Sequence, residues 1–382
     1  MTNAATEVTF LGAGDCGPVH GPDDGYPIER YTELVRPLLQ SVDLRIGNCE
    51  RQYSSRGTKS EQSPHGCQPP FMAQIFSDCG FDAMSLANNH MYDFGPDALV
   101  DTRAELISRG IRPAGAGKNL AEAREPAIVE KNGVKVGLLS YCSIIPKNGE
   151  AGDDKPGIAA LHTTARAEVR GSHSPARVIT EPDPADLAMI IDDIKALRPQ
   201  VDIVMVAFHW GVIWVPRIIS DYQVEVAHAC IDAGADMILG HHAHLPKAIE
   251  MYKGKAIFYS LSNFCMTKPF PSESWSELPW KHGALRNHAD QDPEMPLLPY
   301  GKNAQRTLLA KAVLTKEGVK EVSFVPMVIN SLYQPEPLKN GDPRFDDMVQ
   351  FMRWSTEGFP TNMTVRGDEV VLTQAEEPVA AK

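Results

Sequence analysis

The sequence predicts an α/β fold built around a sheet with parallel segments. Short apolar runs alternate along the chain with segments of helical periodicity, as they do in strand–helix repeats. The runs VMVAF and MILG are almost continuously apolar, which is typical of strands buried on both faces. We find no internal repeat of roughly 20 to 50 residues, so the sequence does not indicate a solenoid.

Each predicted strand is an apolar run that ends at polar residues or glycine. In chain order these runs are VTFLGAGD (8–15), VDLRIGNCE (42–50), FDAMSLANNH (81–90), VKVGLLSYC (134–142), VDIVMVAFHWG (201–211) and ADMILGHHAH (235–244). The later alternating stretch TLLAKAVLTKEGVKEVSFVPMVI (307–329) predicts two antiparallel strands that turn at Glu317-Gly318.

Helical periodicity fills most of the intervals between these strands. The helical segments are YTELVRPLLQS (31–41), FMAQIFSDCG (71–80), GPDALVDTRAELISRG (95–110), DPADLAMIIDDIKALRPQ (183–200) and YQVEVAHACIDAG (222–234). We expect Pro37 to interrupt the first segment. Gly110 is suited to end the third, and Asp183 with Pro184 to begin the fourth.

The pattern predicts one domain over residues 7–335, followed by a helical extension and a disordered tail over 336–382. Two long irregular segments, 143–182 and 267–304, interrupt the domain. Irregular stretches of this length are typical of binding loops or lids.

Composition narrows the functional classes. The net charge of -12 argues against a nucleic-acid partner, because the overall field repels phosphates. We find neither a signal peptide nor an apolar run long enough to cross a membrane, so we expect no membrane anchor. The seven cysteines are scattered without a C-x-x-C pair, which favours free thiols in the cytoplasm. The oligomeric state is not indicated.

Polar side chains that bind divalent cations follow five of the predicted strands. They are Asp15, Asn48 with Glu50, Asn89 with His90, His209, and the trio His241, His242 and His244. Since the carboxyl ends of strands in an open α/β sheet form the ligand-binding crevice, we expect these groups to meet there. Imidazole with carboxylate and amide oxygen, and without thiolate, suits Mn²⁺, Zn²⁺ or Fe²⁺. One or two such ions would support hydrolysis.

The chain resembles the CapA family of capsule or poly-γ-glutamate synthesis proteins. The resemblance rests on an ordered series of words over roughly residues 7–265: GD (14–15), NCE (48–50), SLANNHMYDFG (85–95), GAGKNLAEAREP (115–126), HWG (209–211), GHHAHLPKAIE (240–250) and YSLSNF (259–264). It implies a fold similar to the calcineurin-type metallophosphoesterases, with mixed β-sheets flanked by helices. It also implies a metal site at the carboxyl ends of the strands.

The resemblance implies a two-metal site with the ligands Asp15, Glu50, Asn89, His209, His242 and His244. Asp15 and His244 would bind the first metal, and Glu50 would bridge to the second. His90 would donate a proton or polarise the scissile group, and Asp93 would orient it.

The first metal site departs from the superfamily pattern. The superfamily has D-x-H, whereas this chain has Gly17 at the position of that histidine. His20 or water would have to fill the first site. A mononuclear site using only Glu50, Asn89, His209 and His242 stays open as an alternative.

The predicted substrate-binding residues are Asn263, Trp210, His241 and Arg217. Asn263 follows a strand and can hydrogen-bond a substrate. Trp210 and Arg217 either line the pocket or pack a loop on the sheet. His241 can instead be structural or orient a metal ligand.

Three functions are compatible with this site. The favoured one is a metal-dependent amidohydrolase acting on a small-molecule or peptide-like substrate with a γ-glutamyl-like, small or cyclic amide bond. A phosphoesterase with the same residues is the first alternative. A non-catalytic component of capsule or poly-γ-glutamate synthesis or export is the second.

Overall fold

The structure, a computed structural model, describes residues 7–18, 27–61, 63, 66–266 and 302–376. Nearly all of the predicted loop 267–304 lies outside the described residues, and so does His20.

The elements follow the predicted alternation of strands and helices. The strands are β1 Val8–Gly17, β2 Leu44–Cys49, β3 Ala83–Ser85, β4 Arg112–Ala114, β5 Ala116–Gly117, β6 Ala127–Lys131, β7 Val134–Cys142, β8 Gly157–Ile158, β9 Thr163–Glu168, β10 Arg177–Pro182, β11 Ile203–His209, β12 Met237–His241, β13 Ile249–Tyr252, β14 Lys255–Phe258, β15 Asn263–Met266, β16 Arg306–Thr315, β17 Gly318–Ile329, β18 Pro335–Pro337, β19 Thr361–Arg366 and β20 Glu369–Gln374.

The α-helices are α1 Arg36–Gln40, α2 Gln74–Asp78, α3 Gly95–Ser108, α4 Leu120–Ala123, α5 Pro184–Leu197, α6 Asp221–Ala233 and α7 Pro343–Thr356. The predicted helical segment 31–41 is interrupted, since a 3-10 helix ends at Tyr31 and α1 begins only at Arg36. Pro37 lies in the first turn of α1, where the missing N–H is unpaired in any helix. Asp183 caps α5, as predicted, through its side chain. No helix among the described residues is both long and apolar enough to cross a membrane.

Two mixed sheets form the centre of the fold. The larger sheet has the order β19-β20-β17-β16-β1-β2-β3-β4, with β15 beside β1 and β18 beside β17. Its strands β15, β1, β2, β3 and β4 are parallel, whereas β16 and β17 form the predicted antiparallel hairpin. The second sheet has the order β13-β14-β12-β11-β7-β6, with parallel strands at its centre.

The two sheets pack face to face with helices outside them. Met205 of β11 belongs to the same hydrophobic cluster as Phe10 of β1, and this cluster fills the space between the sheets. The next residue, Val206, faces the opposite way and clusters with Ile190 of α5. Leu11 faces the cluster on the outer side of the larger sheet, which includes α3 residues. The predicted class of mixed sheets flanked by helices is therefore confirmed.

Two predictions about irregular segments were wrong in part. The loop predicted over 143–182 contains the hairpin β9–β10, which forms a separate two-stranded sheet. The segment 336–382 contains the helix α7, but it also contains the hairpin β19–β20, which extends the larger sheet. Most side chains of β19 are exposed and polar, so no apolar periodicity marks it as a strand.

Candidate metal centre

Polar residues from both sheets meet at one edge of the sandwich. Asp15 lies near the end of β1 and Glu50 directly follows β2, both in the larger sheet. His209 ends β11 of the second sheet, and His244 lies three residues beyond β12. The Nε2 atoms of His209 and His244 are each 3.6 Å from Glu50 Oε1. The site therefore spans the junction between the sheets.

A close backbone approach fixes the position of Asp15. Its N–H donates a hydrogen bond of 2.8 Å to the carbonyl oxygen of Ser262. Gly14 lies so close to Ser262 that an added Cβ would be 2.0 Å from this oxygen. Ser262 itself has a φ of +70°, a conformation that costs a residue with a side chain roughly 1–3 kcal/mol. Only glycine at position 14 allows this approach.

The turn after β12 aims its histidines through unusual backbone angles. His242 and His244 have φ values of +87° and +54°, both in the left-handed region. The N–H of His242 donates to Asp15 Oδ2 over 3.1 Å, so this turn is held against the end of β1. Strained residues of this kind concentrate at functional sites, where the surrounding structure stabilises them.

The first group of candidate ligands is Asp15, Glu50 and His244. One side-chain ligand atom from each lies within 4.8 Å of the other two, and all three residues are buried. Asn263 Oδ1 accepts a hydrogen bond of 2.7 Å from His244 Nδ1. Since this bond requires a proton on Nδ1, it leaves the lone pair of Nε2 directed toward Glu50.

The second group surrounds His209. Its Nε2 atom lies 2.7 Å from Asn89 Oδ1, 3.1 Å from His242 Nδ1 and 3.6 Å from Glu50 Oε1. Two ligand atoms on one ion, each bonded at about 2.1 Å, are roughly 3.0–3.4 Å apart. The spacing in this group is close to that range. Both groups share Glu50, which therefore has the position of a bridging carboxylate.

The Glu50 side chain provides a test of whether a cation fits. It is fully buried, and neither carboxylate oxygen has a hydrogen-bond partner within the part of the chain that the structure describes. A buried carboxylate without hydrogen bonds is strongly destabilising unless a cation or a proton neutralises it. The surrounding side chains present imidazole nitrogens and an amide oxygen instead of a lysine or arginine ion pair. This donor set suits a divalent transition metal.

Electrostatics keep Asp15 and the candidate histidine ligands in forms that bind metal. Burial lowers the pKa of His242 to about 3 and that of His244 to about 4, and it lowers the pKa of His209 well below its usual value. These imidazoles are therefore neutral at pH 7. Burial raises the pKa of Asp15, but nearby histidines, His241 first, outweigh this and hold the pKa below its usual range. Burial and then Asp15 raise the pKa of Glu50.

His90 and Asp93 form a pair beside the second group. His90 Nδ1 lies 2.9 Å from Asp93 Oδ2, and His90 Nε2 lies 3.3 Å from Asn89 Nδ2. The half-buried imidazole thus has one nitrogen fixed by a carboxylate and the other close to a candidate ligand. This arrangement is compatible with the predicted role of His90 in proton transfer.

Two predicted substrate-binding residues, Trp210 and Arg217, make packing contacts. Trp210 is fully buried in the cluster outside the second sheet, and its indole N–H donates to the carbonyl oxygen of Tyr259. Because strand side chains alternate, His209 and Trp210 face opposite ways. Arg217 is exposed and pairs with Glu357, and it lies over the Trp354 ring. The prediction of Trp210 as a pocket residue was wrong, because its side chain is fully buried. The contacts of Arg217 fit the alternative of loop packing.

Asn263 and His241 lie at the site but contact candidate ligands. Asn263 is fully buried, and besides bonding His244 it donates to the carbonyl oxygens of His244 and Ala304. These contacts support a role in orienting His244, and the binding of a substrate by Asn263 stays a prediction. His241 is buried with Nδ1 3.2 Å from Asp15 Oδ1, which fits the alternative that it orients a ligand.

Asn88, which was not among the predicted site residues, holds two parts of the site together. Its Nδ2 donates to Asn48 Oδ1 and to the carbonyl oxygen of Cys49, and its Oδ1 accepts from the N–H of His90. Asn48 in turn donates to Asp15 Oδ1 over 2.8 Å. The two consecutive asparagines before His90 were the available signal, because one can bind metal while the other anchors the loop.

Comparisons with known proteins agree with the ordered series of words in the sequence. The model of the family described as "Bacterial capsule synthesis protein PGA_cap" matches residues 9–268. "PGA biosynthesis protein CapA" of Bacillus subtilis is 30% identical over 235 residues, which are 61% of this chain and 55% of that protein. "Capsule biosynthesis protein CapA" of Bacillus anthracis is 28% identical over 237 residues, 60% of this chain and 52% of that protein.

Further similarities are partial. A protein of Mycobacterium tuberculosis named "Probable polyglutamine synthesis accessory protein" is 35% identical over 179 residues, 46% of this chain and 42% of that protein. The chain thus spans about half the length of the curated relatives it matches. A hypothetical protein from Thermus thermophilus is similar in structure with a TM-score of 0.40 and 15% identity, over 86% of this chain and 98% of that one. On the family match, the chain belongs to the bacterial capsule synthesis family that includes the CapA proteins.

Proposed function

We propose that this protein is a metal-dependent hydrolase that cleaves an amide bond. The observation that carries the proposal is the buried Glu50 carboxylate, which has no hydrogen bond among the described residues and lies 3.6 Å from one histidine of each group of candidate ligands. A carboxylate in that environment is suited to bridge two cations.

The residues present fit two divalent ions. Asp15, Glu50 and His244 would hold the first, and three protein ligands with an open position are typical of a catalytic site. The first site therefore does not require a histidine at position 17. Glu50, Asn89, His209 and His242 would hold the second. When bound, the ions would activate a water and stabilise negative charge on the attacked carbonyl oxygen.

The protein's own groups complete the reaction. His90, oriented by Asp93, would hold a proton at Nε2 and transfer it to the leaving nitrogen. Asn263 keeps His244 in the tautomer that presents Nε2 to the centre. His241 and Asn48 both contact Asp15 Oδ1 and hold this carboxylate in place.

The preference for amides comes from the relatives. They are named for the synthesis of PGA and polyglutamine, and polymers of amino acids are joined by amide bonds. The same residues would also support phosphoester hydrolysis, so the reaction has to be decided by assay.

The seven cysteines are free thiols, six of them buried, which supports our proposal of a cytoplasmic location.

A substrate panel tests the proposal. The full chain would be stripped with chelator, reloaded with Mn²⁺, Zn²⁺ or Fe²⁺, and assayed on an aryl phosphate, an aryl phosphodiester, γ-glutamyl-p-nitroanilide and a set of small and cyclic amides. We expect metal-restored amide turnover that falls roughly 10²- to 10⁴-fold in His90→Ala without loss of bound metal.

His162→Ala is the matched control, since His162 also pairs with an aspartate, Asp186, but lies outside the centre. Turnover of phosphate esters alone would refute the amide assignment. A metal-loaded protein inactive on the whole panel would favour a non-catalytic part in capsule or polymer assembly.

A further inference from the structure

Arg51, the residue after Glu50, is a buried cation that the proposed mechanism does not use. Its exposed fraction is 3%, and its Nε and Nη1 atoms have no hydrogen-bond partner among the described residues. It also forms no ion pair within 4.0 Å in that part of the chain. Arginine is almost never fully buried without a partner, because desolvating its charge is costly.

Arg51 directly follows Glu50, the candidate ligand that both groups share. Its charge contributes to the electrostatic environment of both Glu50 and His244, which belong to the first group of candidate ligands. The backbone around it is fixed on both sides. The N–H of Glu50 donates to the carbonyl oxygen of Cys16, and the side chain of Gln52 donates to the carbonyl oxygen of Met91. Arg51 is therefore held on a rigid segment next to the place where a substrate would react.

An ion pair with Glu50 does not explain why the Arg51 side chain is buried. The two side chains are farther apart than an ion pair, and Glu50 accepts no hydrogen bond from the guanidinium. Two divalent ions would also add more positive charge than Asp15 and Glu50 offset. A substrate carrying an anionic group would balance this excess and provide an acceptor for one of the unpaired N–H groups together with Nη2.

We propose that Arg51 binds a carboxylate of the substrate. An arginine fork pairs with a carboxylate through two parallel hydrogen bonds, which fixes both distance and orientation. The substrate class is then a carboxylated acyl amide, such as a γ-glutamyl or glutaryl amide, with its carboxylate on Arg51 and its amide carbonyl at the metal centre. This inference rests on the proposed function, because it assigns a substrate to the same site.

A matched pair of substrates tests it. Glutaryl-p-nitroanilide carries a terminal carboxylate, and pentanoyl-p-nitroanilide has a methyl group in its place. We expect Arg51→Met to lower kcat/KM for the glutaryl substrate roughly 30-fold or more, mainly through KM, and to change the pentanoyl value less than about threefold. Arg51→Lys should recover part of the loss, since it keeps the charge but loses the fork. Arg56→Met, which removes an exposed arginine paired with Asp101, is the control.

A binding measurement separates failure of this inference from failure of the proposed reaction. Calorimetry on the metal-loaded protein would compare glutarate with pentanoate. Arg51-dependent binding of glutarate by a protein that hydrolyses no amide would support the carboxylate site and refute the reaction. An equal loss for both anilides in Arg51→Met would overturn the inference. The inference would also be overturned if the wild type preferred glutarate over pentanoate by less than about threefold. This measurement does not depend on the folding of a variant.

Discussion

Replacing Glu50 by glutamine should change stability in opposite directions with and without metal. Without metal, Glu50 is a buried carboxylate with no hydrogen bond in the described residues, and its pKa is raised by burial and by Asp15. The folded protein therefore holds this proton more tightly than the unfolded chain does. The resulting stabilisation is complete below a pH of about 4.5 and is lost as the pH rises through the folded pKa.

The magnitude follows from the cost of burying a charge. A buried polar group without a partner costs about 1–3 kcal/mol, and a charged group costs more. Glutamine keeps the shape and removes the charge, so metal-free Glu50→Gln should be at least about 1 kcal/mol more stable than wild type at pH 8. The difference should shrink at pH 4, where the wild-type carboxyl is protonated.

Bound metal should reverse this order of stability, so that the wild type is more stable than Glu50→Gln. A ligand present at 100 times its Kd stabilises the folded state by about 2.7 kcal/mol. The wild type should gain this amount, whereas Glu50→Gln, without the shared charged ligand, should gain less than about 1 kcal/mol. Urea unfolding in chelator and in excess Mn²⁺, at pH 4 and pH 8, measures all of these differences.

Glu250→Gln is the matched control for a buried glutamate. Glu250 accepts a hydrogen bond from Tyr259 and pairs with His228, so its loss should destabilise the protein equally with and without metal. If Glu50→Gln were the less stable protein in chelator, and Mn²⁺ stabilised it as much as wild type, Glu50 would not be an unpaired metal ligand.

Three further outcomes follow. Asn263→Ala should weaken metal binding roughly 10- to 100-fold in a chelator competition, and Asn263→Asp should restore most of it by again accepting from His244. Metal-free stability of Glu50→Gln, which lacks the opposing contribution of the Glu50 carboxyl, should fall as the pH drops from 6.5 toward 3, because folding lowers the pKa of His242 to about 3 and of His244 to about 4. Each contributes a slope of at most about 1.4 kcal/mol per pH unit in urea titrations, and a flat profile would contradict neutral burial. Gly14→Ala should cost more than about 3 kcal/mol in thermal unfolding, since its Cβ would meet a backbone oxygen at 2.0 Å, whereas Gly12→Ala meets a side chain at 3.1 Å and should cost less.

The convergence of the candidate ligands could be predicted from the sequence for a physical reason. Parallel strands present their carboxyl ends at the same edge, so polar residues directly after buried strands are brought together whatever their separation in the chain. Asp15, Glu50, His209 and His244 all follow this rule. Apolar periodicity located the strands because their side chains are buried on both faces.

Other features depended on contacts that periodicity does not encode. Nothing near Arg217 in the sequence indicates that its partner is Glu357. The hairpin β19–β20 was missed because an exposed edge strand needs no apolar side chains. The position of Trp210, by contrast, could have been predicted from the sequence. Side chains alternate along β11, so Trp210 faces away from His209 and therefore away from the site.

The two-sheet architecture explains why strain and buried charge are tolerated at this edge. Between the sheets, apolar residues such as Phe10 and Met205 supply the packing. At the edge, the buried side chains include the carboxylates of Asp15 and Glu50. The backbone of His242 and His244 adopts left-handed angles there. These features oppose folding unless something binds the carboxylates of one sheet and the imidazoles of the other together. A cation bound by ligands from both sheets would do so, and we therefore expect metal binding and the closure of this edge to be the same event.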